Sequence, residues 1–285
     1  GWKIGPRINA AGRIDHANTA YQLLFSESEI EAQKLAEKIE ATNTDRQALS
    51  SRIHKEALQE IEPKSEGSML LFAHGKDWPL GVLGLVASKI CDQFFRPVLL
   101  LTTNHGEISG SGRSIEGFNL ITSLQKCKEY FSRFGGHSGA AGFTLKKEVN
   151  IEDFESAFRK IAEEALRGKA LQKSLEIESE IKIEEISWDL YEYLVQFEPH
   201  GEGNHRPRFL VKNLLVENFD VVGNGNGHIR LWAGGKKFIG FGMGELSNRL
   251  AMNDTVDIVF EIGVNQWNGN RELQLKMIDL KKSEN

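Results

Sequence analysis

The sequence predicts a mixed α/β domain preceded by a long helix and followed by a small β-barrel, and three observations lead there. Residues 26–61 keep one apolar stripe at helical spacing. Residues 67–168 alternate buried-strand runs with helical stretches. After Gly168 the chain breaks into short β-like runs separated by Gly and Asn turns. With 285 residues it is long enough for two domains.

The long helix is read from Ser26 followed by Glu29, a capping box, and from Ile30, Leu35, Ile39, Leu49, Ile53, Ala57 and Ile61 near helical period. Pro63 and Gly67 end it. About 35 residues would make a rod about 50 Å long, which suits a connector. A bent helix inside one domain is the alternative.

In the α/β stretch, Met69–Ala73 and Val98–Leu101 read as buried strands and Leu80–Phe95 as a helix with small residues on one face. Ile108–Ser114 is a Gly/Ser strand or loop. Phe118–Phe131 is expected to be helical, Gly139–Leu145 a strand, and Ile151–Arg167 a closing helix. The β-rich remainder offers five strands, Phe209–Val216, His228–Ala233, Lys237–Phe241, Thr255–Val264 and Glu272–Asp279, enough for a small barrel.

Hydrophobic residues make up 40% and charged residues 26%, as in a water-soluble globular protein. No apolar run approaches the roughly 20 residues of a membrane span, so no membrane partner is expected. Two cysteines, Cys91 and Cys127, are too few for a disulfide framework and point to a reducing compartment, taken as the cytoplasm. The chain opens at Gly1-Trp2-Lys3 without an initiator Met, as a piece of a longer protein would. The net charge of −5 is uneven: residues 151–200 hold 6 Lys+Arg against 13 Asp+Glu, while residues 1–150 hold 18 against 17 and residues 201–285 hold 11 against 10. Both flanks are neutral enough to carry local basic sites.

No Asp-x-Asp, His-x-His, His-Glu-x-x-His, nucleophile elbow or phosphate loop occurs, so no catalytic metal centre is legible. Three segments could bind anions instead. Ser109-Gly110-Ser111-Gly112-Arg113-Ser114 sets small residues and hydroxyls around an arginine that can grip phosphate in bidentate fashion, or is an ordinary turn. Gly135-Gly136-His137 exposes backbone beside an imidazole, or is structural. Gly5-Pro6-Arg7-Ile8-Asn9-Ala10-Ala11-Gly12-Arg13 presents two arginines and an asparagine, or is a domain-edge loop. In the β-rich region Arg206, Arg208, Lys212, Arg230, Lys236 and Lys237 interleave with Phe209, Trp232, Phe238, Phe241 and Trp267, the mixture that single-strand binders use. Most of those aromatics read as barrel core, with Trp232 and Trp267 undecided.

Taken in order, the Gly5–Arg13 segment, Asn43-x-x-Arg46-Gln47, Ser109–Ser114 and Gly135-Gly136-His137 resemble the C-terminal half of the RecJ family, single-strand-specific exonucleases of the DHH phosphoesterase superfamily. Phe197–Asn204 resembles the entry to that family's OB-fold, and Trp267–Leu275 with Asp279 its end; His200 and His205 depart from its usual residues. The resemblance implies a domain junction and connector helix over 1–66, a DHHA1 domain over 67–172 and an OB-fold over 173–285. It implies metal-dependent 5′→3′ hydrolysis of single-stranded DNA in repair and recombination. Mn²⁺ or Mg²⁺ would be held by a preceding DHH domain, with no metal ligand in this chain and no activity of the chain alone. Ser111, Arg113, Ser114, Gly135 and Gly136 would grip phosphate, with Arg7, Asn9 and Arg13 near the junction and His137 as phosphate ligand or proton donor. Arg206, Arg208, Arg230, Lys236, Trp232 and Trp267 would face single-stranded DNA. A single-strand-binding protein and a helicase are the implied partners. A plain binding module, a scaffold of an inactive DHH relative and an oligoribonuclease-type phosphodiesterase remain as alternatives.

Overall fold

Ser28, not Ser26, starts the long helix: its hydroxyl accepts the Glu31 N–H at 3.4 Å, which makes Ser28 and Glu31 the capping pair. The computed structural model describes residues 3–283 except 170, 202, 224–226 and 268, and not the side chains of Lys64 and Trp267. It divides into two units, Gly1–Lys173 and Ser174–Asn285. The fold class is the one the sequence predicts.

In the first unit the opening segment is not a loop but helix α1 (Ile4–Ile14), followed by α2 (Asn18–Phe25) and the long α3 (Glu29–Ile61). Pro6 is tolerated because it lies in the first turn of α1, where its missing N–H has no intrahelical partner to lose. α1 and α2 pack on α3, whose later turns rest on the α/β sheet through Ile53, Ala57 and Ile61. Ile30, at the head of the predicted stripe, is exposed.

The sheet contains β1 (Leu71–Lys76), β2 (Val98–Asn104), β3 (Glu107–Arg113), β4 (Phe131–Gly136) and β5 (Ala140–Leu145), in spatial order β1-β2-β3-β5-β4. β1 and β2 run parallel and the other pairs antiparallel. Helix α4 (Leu80–Phe94) lies against β2 and β3. On the other face lie α5 (Leu120–Gln125) and α6 (Ile151–Leu166), where Phe154 meets the rings of Phe72, Tyr130, Phe131, Phe143 and Phe158. The helix expected over 118–131 is therefore corrected to the short α5 and a turn running into edge strand β4. Phe131 is drawn into the sheet by this aromatic cluster.

The second unit is a closed barrel. Its strands β7 (Phe209–Val222), β8 (His228–Ala233), β9 (Lys236–Gly240), β10 (Thr255–Trp267) and β11 (Asn270–Lys282) pair in the order β10-β11-β9-β8-β7, and β10 pairs back onto β7. The two-residue strand β6 (Ser179–Glu180) and helix α7 (Trp188–Val195) precede them. Phe209 and Phe238 are core, as read from the sequence, but Phe241 is 48% exposed.

Two consequences can be measured. Phe154 is fully buried, so Phe154→Ala should cost about 3–5 kcal/mol in denaturant unfolding; a loss below about 1 kcal/mol would contradict this packing. His54 and His74 titrate below the ordinary histidine value, chiefly because burial disfavours the imidazolium. As pH falls, the unfolded chain takes up these protons first, so stability should decline from about pH 6.5 downward. The melting temperature should fall between pH 7 and 5, and a His54→Gln/His74→Gln variant should flatten that slope.

Candidate phosphate-binding site and nucleic-acid interface

β3 carries the Ser-Gly-Ser-Gly-Arg run as a strand, so its residues alternate between two faces. A Cβ on Gly110 would lie 2.4 Å from the Phe143 ring, and one on Gly112 would lie 2.7 Å from Leu99 and 2.8 Å from Leu120. The glycines therefore occupy the crowded face, and Ser111 and Arg113 turn toward α4. There Arg113 Nε donates to Ser88 Oγ at 3.0 Å, and Nη1 donates to Ser111 Oγ at 3.2 Å and to the Gly112 carbonyl at 2.7 Å. The α4 backbone passes so close at Gly84 that a Cβ there would fall 2.5 Å from Nη2. Ser111 accepts from the arginine and keeps its own O–H to donate.

Arg13 reaches the same region from the last turn of α1, donating to the Gly81 carbonyl at 3.2 Å. A Cβ on Gly81 would lie 2.1 Å from the Arg13 carbonyl oxygen, so glycine is what lets α1 meet α4. Burial first, and the Arg13 charge second, hold Arg113 below the ordinary arginine value; the group stays a cation at neutral pH. Among the described residues neither arginine has a carboxylate partner. Two neighbouring cations without a counter-charge repel, and an anion between them relieves that cost.

The other residues expected at this site are placed differently. Arg7 is engaged in packing α1 on α3: it pairs with Glu40 and donates to the Lys3 carbonyl at 2.7 Å. Asn9 is exposed on α1. Ser114 donates its hydroxyl to the Phe118 carbonyl at 2.7 Å, while its N–H donates to the Gly139 carbonyl at 2.9 Å. That bond sets the β4–β5 hairpin beside the end of β3. Gly135 and Gly136 belong to β4, and His137 follows, exposed, with Nδ1 accepting the Gly139 N–H at 3.2 Å. The imidazole is thereby oriented, and among the described residues its Nε2 has no hydrogen-bond partner.

In the barrel unit the expected cations are largely matched by acids. Arg206 pairs with Glu198, Arg208 with Glu261, Lys212 with Glu180, Arg230 with Asp220, and Lys237 with Glu272. Lys236 donates to the Ile186 carbonyl at 3.2 Å. Residues 174–285 hold 12 Lys+Arg against 18 Asp+Glu. Trp232 is half-buried beside a groove of about 340 Å³ that Lys236 and Lys237 also line, with Arg230 5.7 Å from its ring centre. Trp267 ends β10 opposite Asn270, but its side chain lies outside the described residues. Sequence reading missed Arg271, whose guanidinium lies 4.6 Å from the ring centre of Trp188 and 5.9 Å from that of Tyr191, with no acid partner among the described residues. The sequence signal was an Asn-Gly-Asn-Arg hairpin, but the Trp stacking on it is far away in the chain.

Among the described residues no three His, Cys, Asp or Glu side chains converge to hold a metal, and no helix is long and apolar enough to cross a membrane. Both cysteines are buried, which pushes their thiols up to about 11 for Cys91 and about 12 for Cys127 and leaves them inert.

Comparison with known proteins bears on this geometry. The DHHA1 domain family matches residues 67–164 and the RecJ OB domain family matches residues 177–279. The chain thus carries a DHHA1 domain followed by a RecJ OB domain, consistent with the C-terminal half of RecJ. It is 33% identical over its whole length to the single-stranded-DNA-specific exonuclease RecJ of Bacillus subtilis, of which it covers 37%. Crystal structures of RecJ from Thermus thermophilus in complex with Mn²⁺ and with Mg²⁺ each superpose at a TM-score of 0.83 and 27% identity, over all of this chain and 41% and 43% of those chains. The chain thus spans less than half the length of those relatives.

Proposed function

We propose that this chain is the substrate-binding half of a metal-dependent, single-stranded-DNA-specific 5′→3′ exonuclease that acts in the cytoplasm in DNA repair and recombination, alongside a single-strand-binding protein and a helicase. The observation that carries the reading is the pair Arg13 and Arg113, neighbouring charges that no carboxylate compensates among the described residues, with the Ser111 hydroxyl bonded to Arg113 beside them. Arg113 is already oriented by Ser88 and Ser111. It binds a terminal phosphate without further ordering and offsets charge that builds on it during cleavage. His137, its Nε2 without a partner among the described residues, lies on the hairpin beside the same strand end and donates to the phosphate or the leaving oxygen. A divalent metal would supply the activated water. The described donors of this chain do not form a site for it.

The barrel supplies the grip on the following nucleotides. Because most of its expected cations face acids, that grip rests on stacking, with Arg271 on Trp188 as the exposed π-cation surface.

Two outcomes test the assignment. In the whole exonuclease, Arg113→Ala should lower turnover on 5′-phosphorylated single strands more than tenfold while the unfolding midpoint is retained; unchanged kinetics would remove Arg113 from the site. In oligo-dT binding by this chain, Arg271→Ala should weaken affinity about fivefold, the equivalent of about 1 kcal/mol. Arg230→Ala, whose charge Asp220 already balances, should change it less. The reverse ranking would mean that the basic residues, and not the stacked pair, carry the barrel's binding.

A further inference from the structure

Next to Ser111 the sheet face is left bare. α4 covers β2 and β3, and beyond it β5 and β4 present a cleft of about 380 Å³, within the usual range for a small-ligand site. Its floor is one cross-strand row, since Ser111 pairs with Gly142 and Gly142 with Gly135. A Cβ on Gly135 would meet nothing within 4 Å and one on Gly142 only the Gly110 carbonyl at 3.9 Å, so the space above both is open. Neighbouring strands lie about 4.8 Å apart, and the row therefore extends about 10 Å from Ser111, within the reach of one nucleotide.

The two walls differ in chemistry. On one side stands Leu80, the first residue of α4, with 48% of its surface exposed. On the other stands Arg133 of β4. Its Nε donates to Thr144 Oγ1 at 3.1 Å and its Nη2 to Glu107 Oε1 at 3.3 Å. Thr144 and Ser109 share a hydrogen bond of 2.9 Å, and Ser109 bonds Glu107 at 3.2 Å, so the four side chains close a ring. This ring fixes the guanidinium on the sheet and leaves Nη1 unengaged among the described residues, with two donors to offer. A flat floor, one apolar wall and one planar wall of N–H donors suit a heterocycle with acceptor atoms on its edge. They suit a second phosphate poorly, because Glu107 already balances the Arg133 charge.

We propose that this cleft is a base-binding subsite: the base of the nucleotide whose phosphate lies on Ser111 and Arg113 rests on the Gly142–Gly135 floor between Leu80 and Arg133, with Arg133 as a positioning residue. The inference rests on the phosphate reading above and extends it from the phosphate to the base.

The test is titration of the 285-residue chain with thymidine 5′-monophosphate and with deoxyribose 5-phosphate, which lacks the base. The wild type should bind the nucleotide at least about tenfold more tightly, equivalent to about 1.4 kcal/mol. Arg133→Ala and Gly142→Leu should each erase that preference while deoxyribose 5-phosphate binds as before, and Arg113→Ala should weaken both ligands. Gly142→Leu projects into open space, and Arg133→Ala gives a second readout should that variant fold poorly. If both ligands bind through Arg113 but with equal affinity, or if the cleft variants keep the preference, the base subsite is overturned and the phosphate site stands. If neither ligand binds, or Arg113→Ala changes nothing, both readings fall together.

Discussion

Along Gly110–Arg113 β3 is permitted side chains on only one face, and the arrangement of the first unit follows from that. The Phe143 ring and the Leu99 and Leu120 side chains fill the other face up to the backbone of Gly110 and Gly112. Strand alternation then places the three polar residues of the run on the opposite face, Ser109 beside Thr144 and Ser111 and Arg113 beneath α4. α4 can lie that close because Gly81 and Gly84 face α1 and the guanidinium. A cation is thus held half-buried by hydroxyls and a carbonyl, and the unmatched charge is a consequence of packing as much as of chemistry.

The two units treat charge in opposite ways. In the first, Arg13 and Arg113 lie near each other without an acid among the described residues, although Arg7 and Arg133 elsewhere in the unit are paired. In the second, cross-strand pairs such as Arg230–Asp220 and Lys237–Glu272 neutralise the basic residues one by one. Exposed pairs of this kind contribute little to stability, but they remove the positive potential that the interleaved sequence suggested. What remains available is aromatic surface, the stacked Arg271, and Lys236, which bonds a carbonyl and not an acid.

Much of the architecture was legible because it was written in period. The long helix, the α4 and α6 stripes and the five barrel strands all carry alternation at 3.6 or 2 residues. The failures have local causes. Phe118 to Phe131 contains apolar residues at helical spacing, but Phe131 is claimed by a ring cluster assembled from residues 72 to 158, a contact no window can see. The Gly-Pro opening of α1 looks like a loop until Pro6 is placed in the first turn. At the site, the Ser111–Arg113 pair could be read from its own five residues. The engagement of Arg7 by Glu40 and of Arg208 by Glu261 joins positions 33 and 53 residues apart. Arg133 gave no signal at all, since its role depends on a floor made by two strands.

Helix α3 underlies both arginines. Its early turns seat α1, which carries Arg13, and its later turns seat α4 and the sheet, which carry Arg113. Thirty-three residues of continuous helix, about 50 Å at 1.5 Å per residue, neither stretch nor compress appreciably. The rod therefore works as a caliper. Together with the direct contact of α1 and α4 at Gly81, it sets the spacing of Arg13 and Arg113, and a bend between the two seats would change that spacing without touching either arginine.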